Sequence, residues 1–402
     1  MQYQPKTYYI KTLGCQANIA DSNSMAGILE ALGFEAVTST TSYANEREEL
    51  LDLLPQTDLF ILNTCSVRQK SEDKAYGVGK HFAELRRLGK KIPFAVMSGC
   101  MVGSVTGARA RYAFEELEKK TQWVDLYMNP SQVFDLPNLL LEKGVLDEWA
   151  VKKFNSAGSL AVQPTPGHAF VNISFGCDNF CTFCVVPYAR GEEKSRPEKD
   201  ILFEIAHLAK RGFNHITLCG QNVNSWGLSM SEKFEIRTGS DQKLPFADLL
   251  RKVHNVEGVE KIDFISSNPF DFTQDLIDAL QLPKVSNYLH MAVQSGNNNV
   301  LKRMNRRHTV EEFLSLVDKI KAAKENTEFG TDIIVGFPGE TREEFMDTAR
   351  LFEKVKFNVA YISMYSPRKG TPAEKFFKDD VPREEKKWRH EYLTNVWKSA
   401  LT

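Results

Sequence analysis

Short apolar runs alternate with stretches of helical spacing from the start of the chain. Tyr8 to Thr12, Asp58 to Leu62 and Pro93 to Met97 read as strands, whereas Asp21 to Leu32 and Ser71 to Leu88 carry apolar residues at helical intervals. Asp21 or Ser22 can cap the first helix, and Gly33 sits just past its end, where a left-handed residue is wanted. Such alternation argues a parallel sheet covered by helices. The rhythm weakens between 130 and 167, and Asn155-Ser156-Ala157-Gly158-Ser159 with Pro164-Thr165-Pro166-Gly167 reads as a linker. The expected division is a first domain over 1–145, a linker over 146–167, a second domain over 168–372 and a C-terminal helical segment over 373–402.

In the second domain the candidate strands are Phe170 to Ser174, His215 to Cys219, Lys261 to Ile265, Tyr288 to Val293, Thr331 to Gly336 and Ala360 to Tyr365. Helical patterns lie between them at Ile201 to Lys210, Phe246 to Val253, Gln274 to Leu280, Val310 to Lys324 and Arg342 to Val355. The last is opened by the capping-box pattern Thr341-Arg342-Glu343-Glu344. The fold class is α/β. Six strand–helix units can curl into an incomplete barrel or lie open as a doubly wound sheet, and the pattern alone leaves both open.

Composition narrows the function more than the fold. The 402 residues hold 51 Lys plus Arg against 52 Asp plus Glu, with 42% hydrophobic residues, which excludes disordered and fibrous classes. No apolar run approaches the roughly 18 residues that span a bilayer, and Met1-Gln2-Tyr3-Gln4-Pro5-Lys6 has no signal pattern, so a cytoplasmic protein without a membrane partner is expected. A net charge of −1 gives no global argument for a nucleic-acid partner, which has to be argued from local patches. Seven cysteines are too few for a disulfide scaffold and odd in number, so clustered thiols point to metal ligands or catalysts.

Cys177, Cys181 and Cys184 form CxxxCxxC directly after the first strand of the second domain, where α/β proteins hold their active sites. Three local thiolates are one fewer than a [4Fe–4S] cube needs, which leaves one iron open to an outside ligand. A structural zinc site is the alternative, and His168 is a poor fourth ligand for it because it lies on the far side of a strand. Cys15, Cys65 and Cys100 each follow a predicted strand immediately, so in a parallel sheet they should converge on one edge, with Gly14 and Gly99 letting the backbone turn tightly beside them. Buried core fillers are the alternative for these three. Cys219, at the end of an apolar strand with no other cysteine near it in sequence, reads as a small core residue.

These residues resemble a known family. Gly176-Cys177 with CxxxCxxC is similar to the radical S-adenosylmethionine (SAM) signature. Thr12-Leu13-Gly14-Cys15-Gln16-Ala17-Asn18, Asn63-Thr64-Cys65-Ser66-Val67-Arg68 and Ser98-Gly99-Cys100-Met101 resemble the three cysteine motifs of the methylthiotransferases. Pro187 to Gly191 with Ser195-Arg196-Pro197, Gly220 to Asn224, Val293 to Gly296 and Asp332 to Glu340 extend the likeness, which runs from about residue 7 to about residue 372. Gly14-Cys15-Gln16 with Asn18 and Asp21-Ser22 look like the MiaB branch, which acts on isopentenyladenosine in tRNA.

The resemblance implies an N-terminal parallel-sheet domain followed by a partial (β/α)6 TIM-like radical SAM barrel, and a tRNA methylthiotransferase with two [4Fe–4S] clusters and SAM as cofactors. Cys177, Cys181 and Cys184 would hold the catalytic cluster, whose open iron binds SAM and generates a 5′-deoxyadenosyl radical. Cys15, Cys65 and Cys100 would hold the second, at which the methylated sulfur destined for carbon 2 of the adenine is carried. The implied partners are the anticodon stem-loop of a tRNA, an electron donor such as flavodoxin or ferredoxin, and a sulfur donor the sequence does not name. The enzyme is expected to be a monomer. The same chemistry on threonylcarbamoyl-adenosine or a ribosomal-protein aspartate, and a non-catalytic iron–sulfur RNA-binding protein, are the alternatives.

Gly220, Gln221 and Asn222, at the end of the second barrel strand, and Ser295 are candidate SAM contacts by the same resemblance, an ordinary polar loop being the alternative for the first three. Ser266-Ser267-Asn268-Pro269 stands where the family commonly has His before Pro, and Ala292 where Pro often precedes Val-Gln-Ser-Gly. Lys302, Arg303, Arg306 and Arg307 lie in a stretch from 294 to 310 without Asp or Glu, a footprint for RNA phosphates or a solvated helix face. Family members usually end in a small β-barrel RNA-binding TRAM domain, whereas no strand-rich segment follows Pro372 here, so that module is expected to be absent.

Overall fold

The computed structural model describes residues 6–157, 166–236 and 240–401. Two compact units divide the chain: Met1–Pro164 with Val185–Glu192, and Thr165–Cys184 with Glu193–Thr402. The first unit thus takes in eight residues that the sequence reading assigns to the barrel. Residues 1–5 and 158–165, where the signal-peptide test and part of the expected linker fall, lie outside the described residues. The rest of that linker is not irregular, because Glu148–Ala157 is a helix.

The first unit is a five-stranded parallel sheet of β1 Thr7–Thr12, β2 Glu35–Ala36, β3 Leu59–Thr64, β4 Phe94–Gly99 and β5 Leu126–Met128, in the order β2-β1-β3-β4-β5. β3 is buried along its whole length, as befits a central strand covered on both faces. Phe60, Leu62, Ala95 and Met97 pack with Phe82 and Trp123 on one face, while Ile61, Leu59 and Val96 pack with Met25, Ile28 and Leu136 on the other. The strand order reverses between β1 and β3, which makes the crevice beyond their C-terminal ends the topological switch point where such sheets hold ligands.

The first helix runs Gln16–Ala31 with Cys15 at its N-cap, six or seven residues earlier than the capping residues Asp21 and Ser22 suggest. Those polar side chains are buried in mid-helix, where they have partners on neighbouring elements: Ser22 Oγ lies 2.7 Å from Thr12 Oγ1 and accepts from Asn63 Nδ2 at 2.9 Å.

In the second unit six parallel strands follow one another in chain order, β6 His168–Asn172, β9 His215–Cys219, β10 Lys261–Phe264, β11 Tyr288–His290, β12 Glu328–Val335 and β13 Val359–Met364. The small antiparallel pair β7 Ser174–Phe175 and β8 Lys194–Ser195 is inserted after the first. β6, β9 and β10 form one ladder and β11, β12 and β13 another, joined by parallel bridges at Ile262 to Val285 and Ser267 to Met291. A sheet wound in one direction places all its crossover helices on one face and curls into an incomplete barrel.

Ile216, Leu218, Leu289, Phe329 and Ile333 meet the helices through Ile205, Leu250, Phe313 and Phe352. The alternating positions carry a polar layer in which His290 Nε2 lies 2.9 Å from Asp332 and His215 pairs with Asp263. Helix Arg342–Val355 starts with the expected capping box, Thr341 Oγ1 accepting from Glu344 N at 3.2 Å. Among the described residues no helix is long and apolar enough to cross a membrane.

Candidate functional site

Cys65 and Cys100 stand directly after β3 and β4, and Cys15 three residues past the end of β1. Cys65 and Cys100 are buried and Cys15 is exposed. Burial pushes the Cys65 thiol up to about 11, and the Cys100 and Cys15 thiols push it the same way. Burial also raises Cys100, opposed by the Arg190 guanidinium and reinforced by Cys15. The three thiols therefore share one neighbourhood at the C-terminal edge of the sheet, beside its switch point.

Two devices fix this edge. Gly99, at φ +89°, lets β4 pass into helix Cys100–Thr106 where a Cβ would stand 2.2 Å from the Thr64 carbonyl oxygen. The buried amides of Asn18 and Asn63 tie the loops after β1 and β3 together. Asn18 Nδ2 donates to Asn63 Oδ1 at 2.9 Å and to Thr64 O at 3.0 Å, and Asn63 Nδ2 donates to Asn18 O at 2.8 Å.

Cys177, Cys181 and Cys184 lie on the loop that follows β7. Burial raises the Cys177 thiol, and Glu193, Cys184 and Cys181 add to the shift in that order. The loop is braced from the segment after β11. Thr182 donates from its backbone N to Met304 O at 3.1 Å and from Oγ1 to Arg303 O at 2.9 Å, and Asn305 Nδ2 donates to Phe180 O at 3.1 Å. Arg306 Nη1 approaches Cys181 Sγ at 3.3 Å.

The donor sets suit iron–sulfur clusters. Each contains only thiols, and donors already point at two of the sulfurs, Arg306 at Cys181 and Val67 N at Cys65 (3.4 Å). Hydrogen bonds to sulfur favour the thiolate a cluster requires. Among the described residues no three His, Cys, Asp or Glu side chains stand within reach of a single metal ion. A cube with each thiolate on a different iron asks for a wider set than one ion does.

The basic stretch is not a free phosphate patch. Arg303 pairs with Glu344 at 2.7 Å, Arg306 donates to Ala292 O as well as Cys181, and Arg307 pairs with Asp271 at 2.9 Å while stacking 4.3 Å from the Phe270 ring. Only Lys302 of the four is exposed. Carboxylates from distant parts of the chain neutralise a run that looks purely basic in sequence. Arg307→Gln should therefore lower the urea midpoint of unfolding, by on the order of 3 kcal/mol of stability, because it leaves the buried Asp271 unpaired. Lys302→Gln should flatten the salt dependence of RNA binding by at most about one unit.

The candidate SAM contacts separate in the same way. Gly220 directly follows β9, with Ser174 Oγ only 2.4 Å from where its Cβ would be, and Gln221 beside it is half-buried. Asn222, by contrast, is fully buried and its amide is occupied, donating to Ser225 Oγ at 2.6 Å and accepting from Asn268 Nδ2 at 2.5 Å. Ser295 is buried too, with its hydroxyl 3.4 Å from Thr348 Oγ1 and accepting from Asn297 N. Both are better placed to hold loops than to touch a ligand.

Sequence reasoning passes over the network around Asn222. Glu193 pairs with Lys233 at 2.6 Å, both nearly inaccessible, and accepts from Ser225. Asn268, in the family's usual His position, joins Asn222 and Asn224. It also passes over Arg190, which pairs with Asp21 at 2.8 Å inside the first unit. Arg190 and Glu193 fall in or beside quoted motifs, Pro187 to Gly191 and Ser195 to Pro197, and that is the signal that could have found them.

The chain resembles known proteins along its length. A family model described as the radical SAM superfamily matches residues 171–352, and one described as uncharacterized protein family UPF0004 matches residues 7–129. A tRNA-2-methylthio-N(6)-dimethylallyladenosine synthase from Thermotoga petrophila is 39% identical over 397 residues, covering 97% of this chain and 81% of that protein. One from Thermoanaerobacter sp. (strain X514) is 37% identical over 382 residues, covering 91% and 72%. Among solved structures, the radical SAM methyltransferase TsrM from Kitasatospora setae superposes with a TM-score of 0.60 at 13% identity, covering 92% of this chain and 77% of that one, a likeness of fold. With curated relatives of this identity and coverage, the chain belongs to the radical SAM methylthiotransferase family.

Proposed function

We propose that this protein is a tRNA methylthiotransferase that places a methylthio group on carbon 2 of N6-isopentenyladenosine beside the anticodon. The observation that carries the reading is the presence of two separate all-thiol sites, Cys177/Cys181/Cys184 after the first barrel strand and Cys15/Cys65/Cys100 at the switch point of the first sheet. The relatives' names support the substrate.

When bound, one [4Fe–4S] cluster with SAM supplies the radical that activates the carbon–hydrogen bond, and the other carries the sulfur to be transferred. The chain's own tasks are placement and shielding. Arg306, with the braces from Thr182 and Asn305, holds the barrel loop in shape. Burial of Cys177 and Cys181 keeps water from the sulfurs. The Asn18–Asn63 clasp and Gly99 fix the three strand ends from which the second site is built. An electron donor of the flavodoxin or ferredoxin kind and a sulfur donor complete the reaction.

The test uses anaerobically reconstituted protein with SAM, a reductant, sulfide and two anticodon stem-loops. The loop carrying isopentenyladenosine should gain a methylthio group, and the loop carrying threonylcarbamoyl-adenosine should not. The reverse preference would move the protein to the other tRNA branch, and no transfer to either would contradict the reading.

A further inference from the structure

Cys65 and Cys100 follow adjacent strands, β3 and β4, and the residues on either side of them are tied in pairs. On one side Thr64 Oγ1 donates to Ser98 O at 2.6 Å and accepts from Met101 N at 3.2 Å. On the other side Ser66 and Ser104 are fully buried and share one guanidinium, that of Arg111. Arg111 Nη2 donates to Ser66 Oγ at 2.6 Å and to Ser104 Oγ at 2.8 Å, and its Nε donates to Ser104 Oγ at 3.2 Å. Ser104 Oγ in turn donates to Cys100 O at 2.6 Å, and Arg111 N donates to Ser104 O at 2.8 Å.

Arg111 lies in the irregular stretch between helices Cys100–Thr106 and Phe114–Glu118, and its side chain is only 1% exposed. Glu72, on helix Gln69–Arg87, stands 3.9 Å from the guanidinium and also accepts from Ser66 Oγ. As a source of stability this is a poor arrangement, since burying a guanidinium and a carboxylate carries a desolvation penalty that well-packed apolar side chains avoid. A rigid fork of donors supplies what an apolar pair cannot, which is direction, here hydrogen bonds to hydroxyls on a loop and on a helix. With Thr64 on one flank and Arg111 on the other, the spacing between Cys65 and Cys100 is fixed from both sides.

We infer that Arg111 is a positioning residue of the Cys15/Cys65/Cys100 site: its guanidinium, braced by Glu72, sets the spacing of Cys65 and Cys100 at which both sulfurs reach one cluster. This rests on the reading that those thiols hold an iron–sulfur cluster. Groups that orient ligands without touching the metal change metal affinity by about 10–100-fold when removed.

The experiment is a titration of full-length, anaerobically reconstituted and reduced protein with the ferrous chelator ferrozine, followed by electron paramagnetic resonance. The signal that disappears when Cys15, Cys65 and Cys100 are replaced by Ala identifies the first-unit cluster. Ser66→Ala cuts the tie to the Cys65 loop and keeps both charges, whereas Arg111→Met removes the fork. In each variant the first-unit signal should be lost at about tenfold less chelator than in the wild type, while the Cys177 cluster keeps its resistance as an internal reference. Leu136→Ala, which opens a cavity in the buried core of the same unit, should lower the urea midpoint and leave both signals as resistant as before.

Wild-type resistance of the first-unit signal in either Ser66→Ala or Arg111→Met would overturn the inference. Equal sensitivity in Leu136→Ala would overturn it too, because the effect would then be a general loosening of the unit. If Arg111→Met fails to fold, Ser66→Ala, which loses a single hydroxyl, decides alone. A wild-type protein that shows only the Cys177 signal would mean that the two-site reading has failed, and the inference falls with it.

Discussion

Replacing Cys15, Cys65 and Cys100 together by Ala is expected to remove about half the iron and to stop methylthio transfer while reductive cleavage of SAM continues. The companion replacement of Cys177, Cys181 and Cys184 is expected to remove the other half and to stop both reactions. The asymmetry follows from the architecture: the first triad is built on three strand ends of one sheet, the second on a single loop of the barrel, and each is braced by residues of its own unit. Iron determination together with separate assays of 5′-deoxyadenosine and of modified tRNA distinguishes the two. Loss of all the iron in either variant would mean that the thiols serve one shared site.

The largest loss of stability is expected at Glu340, the last residue of the Asp332 to Glu340 motif. Its carboxylate accepts from Gly336 N at 2.6 Å and from Arg389 Nη1 at 2.8 Å, with both side chains almost inaccessible. Burial raises the Glu340 carboxyl, and the Gly336 N–H and the Arg389 guanidinium hold it down. The motif that closes β12 and the turn after it thereby fastens helix Arg383–Leu401 to the barrel. Glu340→Ala should cost about 3 kcal/mol, because it leaves the buried Arg389 guanidinium with Glu385 alone and the Gly336 N–H without its acceptor. Replacing both residues by Met should recover most of the loss, since an apolar pair carries no desolvation penalty. The urea midpoints of the single and double variants test this. A double variant no more stable than Glu340→Ala would mean that the ion pair itself is the stabilising element.

Several elements were legible because periodicity, caps and strand ends coincided. Helices Gln274–Leu280 and Arg342–Val355 and strand His215–Cys219 have the bounds that the apolar pattern gives. The placement of six cysteines was legible, three at strand ends of one sheet and three on one loop, because each follows an apolar strand pattern or stands at CxxxCxxC spacing. Other features depend on partners that no local window contains. Asp21 and Ser22 look like caps until Arg190 and Asn63 are seen to need them inside. Arg303 and Arg307 look like phosphate ligands until Glu344 and Asp271, 41 and 36 residues away, neutralise them. Asn222 reads as a ligand contact because its amide is polar, yet Ser225 and Asn268 already occupy it.

The central claim is tested most directly by the nucleosides of tRNA in cells. A strain whose own methylthiotransferase for isopentenyladenosine has been deleted accumulates the unthiolated precursor, and this chain should be expressed in it anaerobically. Mass spectrometry of the digested tRNA should then show 2-methylthio-N6-isopentenyladenosine appearing at the expense of the precursor, and the Cys177→Ala protein should leave the precursor untouched. Precursor that persists unchanged beside folded wild-type protein carrying both clusters would contradict the account.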